Sequence, residues 1–154
     1  MTEFQGRIRH DGQDLDAAFQ NFFTATAKYF EGIFHHDADI ERICREFMSL
    51  DRAREQLALV NNATPGGLAG KRALEIGSGC GAQLLSAARD FGAIPAGVEP
   101  GGEDFPANIN LACAFFKHHG APVCLCDAVG EELPFPDNTF DVVFSFNVLE
   151  HVQD

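Results

Sequence analysis

Apolar residues recur every three or four positions in the first part of the chain. Within residues 13–34 this stripe consists of Leu15, Phe19, Phe22, Phe23, Tyr29, Phe30, Ile33 and Phe34. Such spacing predicts an amphipathic helix. A second helical pattern starts at residues 37–39 and continues to Val60, and the Asn, Pro and Gly residues of 61–67 follow it as a linker. Residues 1–67 are therefore predicted to form a segment with two helices.

The pattern changes after Lys71, where short apolar runs alternate with helical stretches. Strands are predicted at 73–76, 96–99, 123–126 and 140–146, with helices at about 82–91 and 105–119. Alternating strands and helices are typical of a parallel sheet with helices on both faces. Residues 68–154 are thus predicted to form an α/β domain.

A glycine-rich turn follows the first predicted strand. Residues 73–82 read ALEIGSGCGA, with Gly77, Gly79 and Gly81 at alternate positions. Glycines let the backbone approach a ligand closely, and the following helix offers free N–H groups to an anionic group. The second strand ends at Glu99, 22 residues after Gly77, where a carboxylate can accept hydrogen bonds from ribose hydroxyls. Together these features predict a nucleoside-containing ligand.

Two features distinguish a dinucleotide from S-adenosylmethionine. The glycines follow Gly-x-Gly-x-Gly, although Ala82 could serve as the last small residue of a dinucleotide fingerprint. Glu75 would lie close to a pyrophosphate, and two like charges about 4 Å apart cost on the order of 4 kcal/mol at an effective dielectric constant near 20. The carboxylate of Glu75 would instead attract the positively charged ammonium and sulfonium groups of S-adenosylmethionine. A nicotinamide-dependent oxidoreductase and a non-catalytic nucleoside-binding fragment remain as alternatives.

The segments ALEIGSGCGA, AGVEP, CDA and LPFPDNTFDVVFSFNVLEHV together resemble the class I S-adenosylmethionine-dependent methyltransferases, in particular the type 11 group, over residues 72–154. The resemblance implies a Rossmann-like sheet with strand order 3-2-1-4, continued by strands that this chain does not contain. We therefore expect the N-terminal, cofactor-binding part of a longer methyltransferase. The strand 140–146 is apolar on both faces, as strands in the interior of a parallel sheet are. Because the strands that would continue the sheet are not in this chain, we expect 140–146 to form an exposed edge that favours self-association.

The resemblance also implies a set of cofactor-binding residues. The turn would surround the methionine end, Glu99 would bind the ribose, Asp127 with the backbone of Ala128 would meet the adenine, and the end of the fourth strand would lie near the methyl group. The full set is Glu75, Gly77, Ser78, Gly79, Gly81, Glu99, Pro100, Asp127, Ala128, Phe146 and Asn147. His151 is the candidate general base for a hydroxyl or amine acceptor.

One motif after the fourth strand raises the question of a metal. Asn147, Glu150 and His151 resemble the Glu-x-x-Glu-His metal site of small-RNA 2′-O-methyltransferases and some quinone-pathway O-methyltransferases, with Asn147 replacing the first carboxylate. A neutral amide lowers the affinity of such a site for a divalent ion. We therefore expect no metal.

The amino-acid composition limits the kinds of partner that this protein is expected to bind. A net charge of -12 with only 11 Lys and Arg residues argues against a nucleic-acid substrate, which favours a small-molecule acceptor. The five cysteines, without an export signal or a membrane-length apolar run, predict a cytoplasmic protein with reduced thiols, not associated with membranes. Seven of the 15 phenylalanines precede residue 48, and an aromatic N-terminal segment would suit a lid over the acceptor pocket.

Overall fold

The fold is described by a computed structural model that covers residues 14–29, 37–101, 106–121 and 123–148. In chain order the elements are α1 (Leu15–Tyr29), α2 (Asp37–Phe47), α3 (Leu50–Ala63), β1 (Arg72–Ile76), α4 (Ala82–Arg89), β2 (Ile94–Glu99), α5 (Pro106–His118), β3 (Cys124–Asp127) and β4 (Val142–Phe144). All strand pairs are parallel, and the sheet order is β3-β2-β1-β4, so the predicted parallel sheet and its order are confirmed.

The described N-terminal segment contains three helices, so the prediction of two was wrong. The second helical pattern is interrupted at Met48 and Ser49. Ser49 is extended (φ -69°, ψ 113°), and its hydroxyl oxygen accepts the backbone N–H of Arg52, which caps the start of α3. Apolar residues continue at helical spacing on both sides of this break, so periodicity alone did not reveal it. The sequence signal of the break was Ser49, a residue type that commonly caps the start of a helix.

One face of the sheet is covered by helices. Because side chains alternate along a strand, Ala73 and Glu75 of β1 point to this face. Leu57 of α3 is fully buried there in a cluster with Ala73 and Ala87, while α1 packs against α5 in a second cluster. The helices thus fix the side of the sheet on which Glu75 is buried.

The opposite face has a different cover among the described residues. Leu74, Val98 and Cys126 form a buried cluster, against which Phe135 and Phe140 pack. Cys124 and Cys126 are both buried in this cluster. The segment 128–140 therefore shields part of this face.

The fourth strand is shorter than predicted. Asp141 accepts hydrogen bonds from the backbone N–H of Arg72 at 2.9 Å and from its guanidinium at 3.0 Å, and this contact lowers the pKa of Asp141 to about 2. After β4, the Ser145 hydroxyl donates to the Ile76 carbonyl oxygen at 3.0 Å. At the start of β4 the side-chain contact accompanies a backbone bond from the Asp141 N–H to the Arg72 carbonyl oxygen at 2.9 Å, whereas beyond its end the Ser145 side chain bonds to β1. β4 lies at the edge of the described sheet, as expected, and Val143 is 55% exposed.

Two further expectations concern membranes and thiols. Among the described helices, none is both long and apolar enough to cross a membrane. All five cysteines are free thiols, as expected from their odd number and scattered positions.

The packing of α3 predicts a contrast between two leucines on that helix. Leu57 is fully buried, whereas Leu59 is 69% exposed. Leu57→Ala should therefore lower the free energy of unfolding by about 2–5 kcal/mol through loss of apolar contacts and creation of a cavity. Leu59→Ala, the matched control, should change it by less than about 0.5 kcal/mol. Urea denaturation measures both, and equal effects would contradict the packing of α3 on the sheet.

Candidate cofactor-binding site

The turn after β1 folds back over the end of β2. The backbone N–H groups of Gly77 and Ser78 both donate to the Val98 carbonyl oxygen, at 2.9 and 3.0 Å. The Ser78 hydroxyl donates to the same oxygen at 3.4 Å, and this side chain is buried. Ser78 thus supports the turn from the β2 side, with its hydroxyl directed at the strand.

Glycine is favoured at the three positions of the turn for different physical reasons. A Cβ on Gly77 would overlap Val148, and a Cβ on Gly81 would overlap the ring of Phe116 on α5. Both positions therefore favour glycine through packing as well as through their left-handed φ angles of +72° and +80°. Gly79 differs, because a Cβ there would meet no atom within 4 Å, while its φ of +52° favours glycine. Gly79 is thus the glycine that borders open space, where a ligand has room.

Glu99, at the end of β2, is clamped from two sides. Its Oε2 accepts the Gly79 N–H at 2.8 Å, and its Oε1 accepts the Asn108 Nδ2 amide at 2.7 Å. The carboxylate is 5% exposed; burial raises its pKa, and the hydrogen bonds from Asn108 and Gly79 oppose that rise. Each carboxylate oxygen can accept a second hydrogen bond, so Glu99 keeps capacity for two hydroxyl donors.

Asn108 was absent from the residues predicted from sequence. It lies in the first turn of α5, whose other residues are largely apolar. A polar amide at that place was a weak signal, because nothing in its spacing from Glu99 indicates contact. Only the packing of α5 beside the sheet brings the two side chains together.

Glu75, in β1, is the second buried carboxylate of the site. Its side chain is 1% exposed, and its Oε2 has no hydrogen-bond partner among the described residues. Burial, with a smaller contribution from the charge of Glu99, raises the pKa of Glu75 well above its usual range. An unsatisfied buried polar group costs about 1–3 kcal/mol. A cationic ligand beside Glu75 would remove that cost.

The ends of β2 and β3 form a common edge. Glu99 and Asp127 are in register, and the Ala128 N–H donates to the Glu99 carbonyl oxygen at 3.3 Å. Asp127, which is exposed, accepts the Gly101 N–H through Oδ1 at 2.7 Å, so the turn containing Pro100 is bound to β3. The structure therefore brings the predicted ribose and adenine residues to one edge of the sheet.

The end of β4 lies beside the glycine turn. Phe146 packs on Phe144 with ring centroids 5.8 Å apart, and exposed Asn147 has a φ of +56°. Asparagine adopts this left-handed conformation more readily than most non-glycine residues, so the φ of Asn147 marks a bend in the backbone after β4. Glu150 and His151 lie outside the described residues, so the general base and the metal motif stay predictions. Within the described ranges, no group of three or more His, Cys, Asp or Glu residues is arranged to bind a metal.

The N-terminal helices contact this turn directly. The Cys80 thiol donates to the Phe47 carbonyl oxygen, the last residue of α2, at 2.9 Å. Burial raises the pKa of Cys80 to about 12, so the thiol keeps its proton for this bond. Gln83 of α4 donates to Gln56 of α3 at 2.9 Å. The break between α2 and α3 is therefore attached to the glycine turn.

With this geometry established, comparison with known proteins identifies the family. Residues 74–154 match the family described as Methyltransferase domain. The chain belongs to this family, and the predicted membership of the class I methyltransferases is confirmed.

The curated relatives agree with that assignment. The chain is 40% identical over 93 residues to a ubiquinone biosynthesis O-methyltransferase of Rhizobium etli, covering 59% of this chain and 35% of the relative. It is 34% identical over 127 residues to a ubiquinone/menaquinone biosynthesis C-methyltransferase of Burkholderia mallei, covering 76% and 47%. The chain thus spans between about a third and a half of the length of these relatives.

Solved structures show the same fold. Phosphoethanolamine N-methyltransferase 2 of Haemonchus contortus, in complex with phosphomonomethylethanolamine and S-adenosylhomocysteine, is 30% identical with a TM-score of 0.56, covering 65% of this chain and 22% of that one. Magnesium protoporphyrin IX methyltransferase of Synechocystis with bound S-adenosylmethionine has a TM-score of 0.55 at 16% identity, covering 94% and 67%. The second likeness concerns the fold alone.

The buried state of Glu75 predicts that it destabilises the unliganded protein. A folded-state pKa above the unfolded value means that the free energy of unfolding falls as pH rises from the unfolded pKa towards the folded one. Glu75→Gln should therefore raise the thermal midpoint by about 2–6 °C at pH 8 and change it less near pH 4.5, where Glu75 of the folded wild type keeps its proton and is neutral like the glutamine.

Exposed Glu132 offers the matched control. Glu132→Gln should leave the midpoint nearly unchanged at both pH values. Scanning calorimetry of the unliganded proteins measures the difference. A Glu75→Gln variant that is less stable than the wild type at pH 8 would show that the carboxylate has a stabilising partner in the folded chain.

Proposed function

We propose that this chain forms the S-adenosylmethionine-binding part of a methyltransferase that acts on a small molecule. The observation that carries the proposal is the pair of buried carboxylates on either side of the open turn at Gly79. Glu99 is clamped with spare acceptor capacity, and Glu75 has a buried oxygen without a partner. One carboxylate suits neighbouring hydroxyl donors, and the other suits a cation.

The chemistry of S-adenosylmethionine matches these two requirements. Glu75 would face the ammonium of the methionine end, Gly79 would leave room for the chain of that end, and Glu99 would accept from both ribose hydroxyls. Asp127 and Ala128 would border the adenine, as the common edge of β2 and β3 suggests. Phe146 and Asn147 would lie towards the methyl group.

The cofactor supplies a methyl group on a sulfonium, which is already a good leaving group. The protein therefore has to bind, orient and exclude water, and it needs no nucleophile of its own. Buried Glu75 and Glu99 would fix the cofactor, and His151 would take the proton from a hydroxyl or amine acceptor. That role of His151 is part of the proposal.

Related proteins support the small-molecule acceptor. The names of the relatives include an O-methyltransferase and a C-methyltransferase of ubiquinone biosynthesis, and an N-methyltransferase of phosphoethanolamine. These acceptors share low molecular weight but differ in the atom that is methylated. The proposal therefore extends to a small molecule and not to a particular acceptor atom.

The N-terminal helices would form one wall of the site. Cys80 and Gln83, at the start of α4, are bonded to α2 and α3 respectively. A movement of these helices would therefore displace the glycine turn. This attachment supports a role for residues 1–67 as a cover over the cofactor and part of the acceptor pocket.

A nicotinamide-dependent oxidoreductase is the weaker alternative. The pyrophosphate of a dinucleotide would add two negative charges beside a turn that already has Glu75 and Glu99 buried next to it. Like charges at short range in a buried site cost several kcal/mol, on the order of 4 kcal/mol per pair near 4 Å. The buried pair thus favours a ligand with a positive end.

The proposal predicts a large effect of Glu99→Ala on cofactor affinity. Loss of charge-assisted hydrogen bonds to two ribose hydroxyls should cost roughly 1.5–3 kcal/mol, which corresponds to about a 10- to 150-fold weaker Kd for S-adenosylhomocysteine. Isothermal titration calorimetry measures the affinity. His118→Ala, on the exposed end of α5, is the control and should leave Kd unchanged.

Two results would refute the assignment. The first is an unchanged Kd for S-adenosylhomocysteine in Glu99→Ala, which would remove Glu99 from the site. The second is a wild-type protein that binds NAD but not S-adenosylhomocysteine, which would favour the oxidoreductase.

A further inference from the structure

Asn108 on α5 is a hydrogen-bond partner of the Glu99 carboxylate. Its Nδ2 donates to Glu99 Oε1 at 2.7 Å across the space between α5 and β2. An ionised carboxylate only accepts hydrogen bonds, so the amide must present its nitrogen to it. We propose that Asn108 is a positioning residue that fixes the Glu99 carboxylate in the orientation required by the ribose hydroxyls of the cofactor. The inference rests on the proposed function.

The geometry supports this role because the two oxygens of Glu99 are fixed by different elements. Asn108 on α5 binds Oε1, and the backbone of Gly79 in the turn binds Oε2. A carboxylate held at both oxygens cannot rotate about its terminal bond without breaking one of these contacts. Each oxygen then has one remaining acceptor direction, and two neighbouring directions match two neighbouring ribose hydroxyls.

The charge distribution points the same way. The titratable groups that interact electrostatically with Glu99 are Glu75 on β1 and Cys80 before α4, and Asp127 lies in register with Glu99 on β3. Glu75 and Asp127 are carboxyl groups, and the buried Cys80 thiol stays neutral. Asn108 and Gly79 therefore supply the donors that keep the negative charge on Glu99, whereas Glu75 has no such donor among the described residues.

Packing of α5 does not depend on Asn108. The helix is anchored by buried apolar residues, among them Leu111, Phe115 and Phe116, while Asn108 is only half-buried. The same helix offers a matched control in Asn110, also half-buried, two positions further along. Truncation of Asn108 should thus leave the fold intact and change the behaviour of Glu99.

The experiment compares two ligands and tests selectivity for the ribose. Binding of S-adenosylhomocysteine and of its 2′-deoxy analogue is measured by calorimetry for wild type, Asn108→Ala and Asn110→Ala. We expect Asn108→Ala to weaken S-adenosylhomocysteine roughly tenfold, as expected for a hydrogen bond to a charged group, and the analogue by less than about threefold. Selectivity for the 2′-hydroxyl should therefore fall, and Asn110→Ala should retain the wild-type selectivity.

A second variant covers the event that Asn108→Ala fails to fold. Asn108→Asp keeps the shape of the side chain but replaces the donor with an acceptor, and it should lose at least as much selectivity. Equal weakening of both ligands, or no weakening of either, would overturn the positioning role. Wild-type protein that does not bind S-adenosylhomocysteine at all would instead refute the proposed function, and this inference with it.

Discussion

The burial of two carboxylates at the carboxyl ends of neighbouring strands is the constraint on which the site depends. Glu75 and Glu99 are 1% and 5% exposed, and burial raises the pKa of each. A folded chain retains such a pair at a cost in stability. That cost is explained if the pair serves a ligand, since Glu99 is clamped for hydroxyl donors and Glu75 is left for a cation.

The surrounding fold is organised around this pair. The Gly79 N–H binds Glu99, so the turn after β1 is joined to the end of β2 by the same carboxylate that is proposed to bind ribose. The start of α4 is in turn bonded to α2 and α3 through Cys80 and Gln83. The N-terminal helices, the glycine turn and the sheet edge thus form one connected unit, in which a change at the cofactor would reach the proposed wall of the acceptor pocket.

Sequence patterns were sufficient for the parallel sheet and the glycine turn, because periodicity and glycine spacing are local properties, whereas the strand order was predicted from the resemblance to the methyltransferases. They failed where the cause was a contact between distant residues. A Cβ on Gly77 or Gly81 would overlap Val148 or Phe116, a packing reason for glycine that spacing alone does not indicate. Asn108 was missed because its contact with Glu99 exists only after α5 packs on the sheet. The break at Ser49 was hidden because helical periodicity continues through it.

Glu75 and Glu99 are expected to act as one pair of buried carboxyl groups whose ionisation changes when the ligand binds. Carbon-13 NMR of the two side-chain carboxyl groups, assigned with Glu75→Gln and Glu99→Gln, measures their titration directly. Glu75 in the unliganded protein should have a pKa well above the usual range of a glutamate, and S-adenosylhomocysteine should lower that pKa. An ordinary pKa for Glu75 that does not respond to S-adenosylhomocysteine would contradict this expectation.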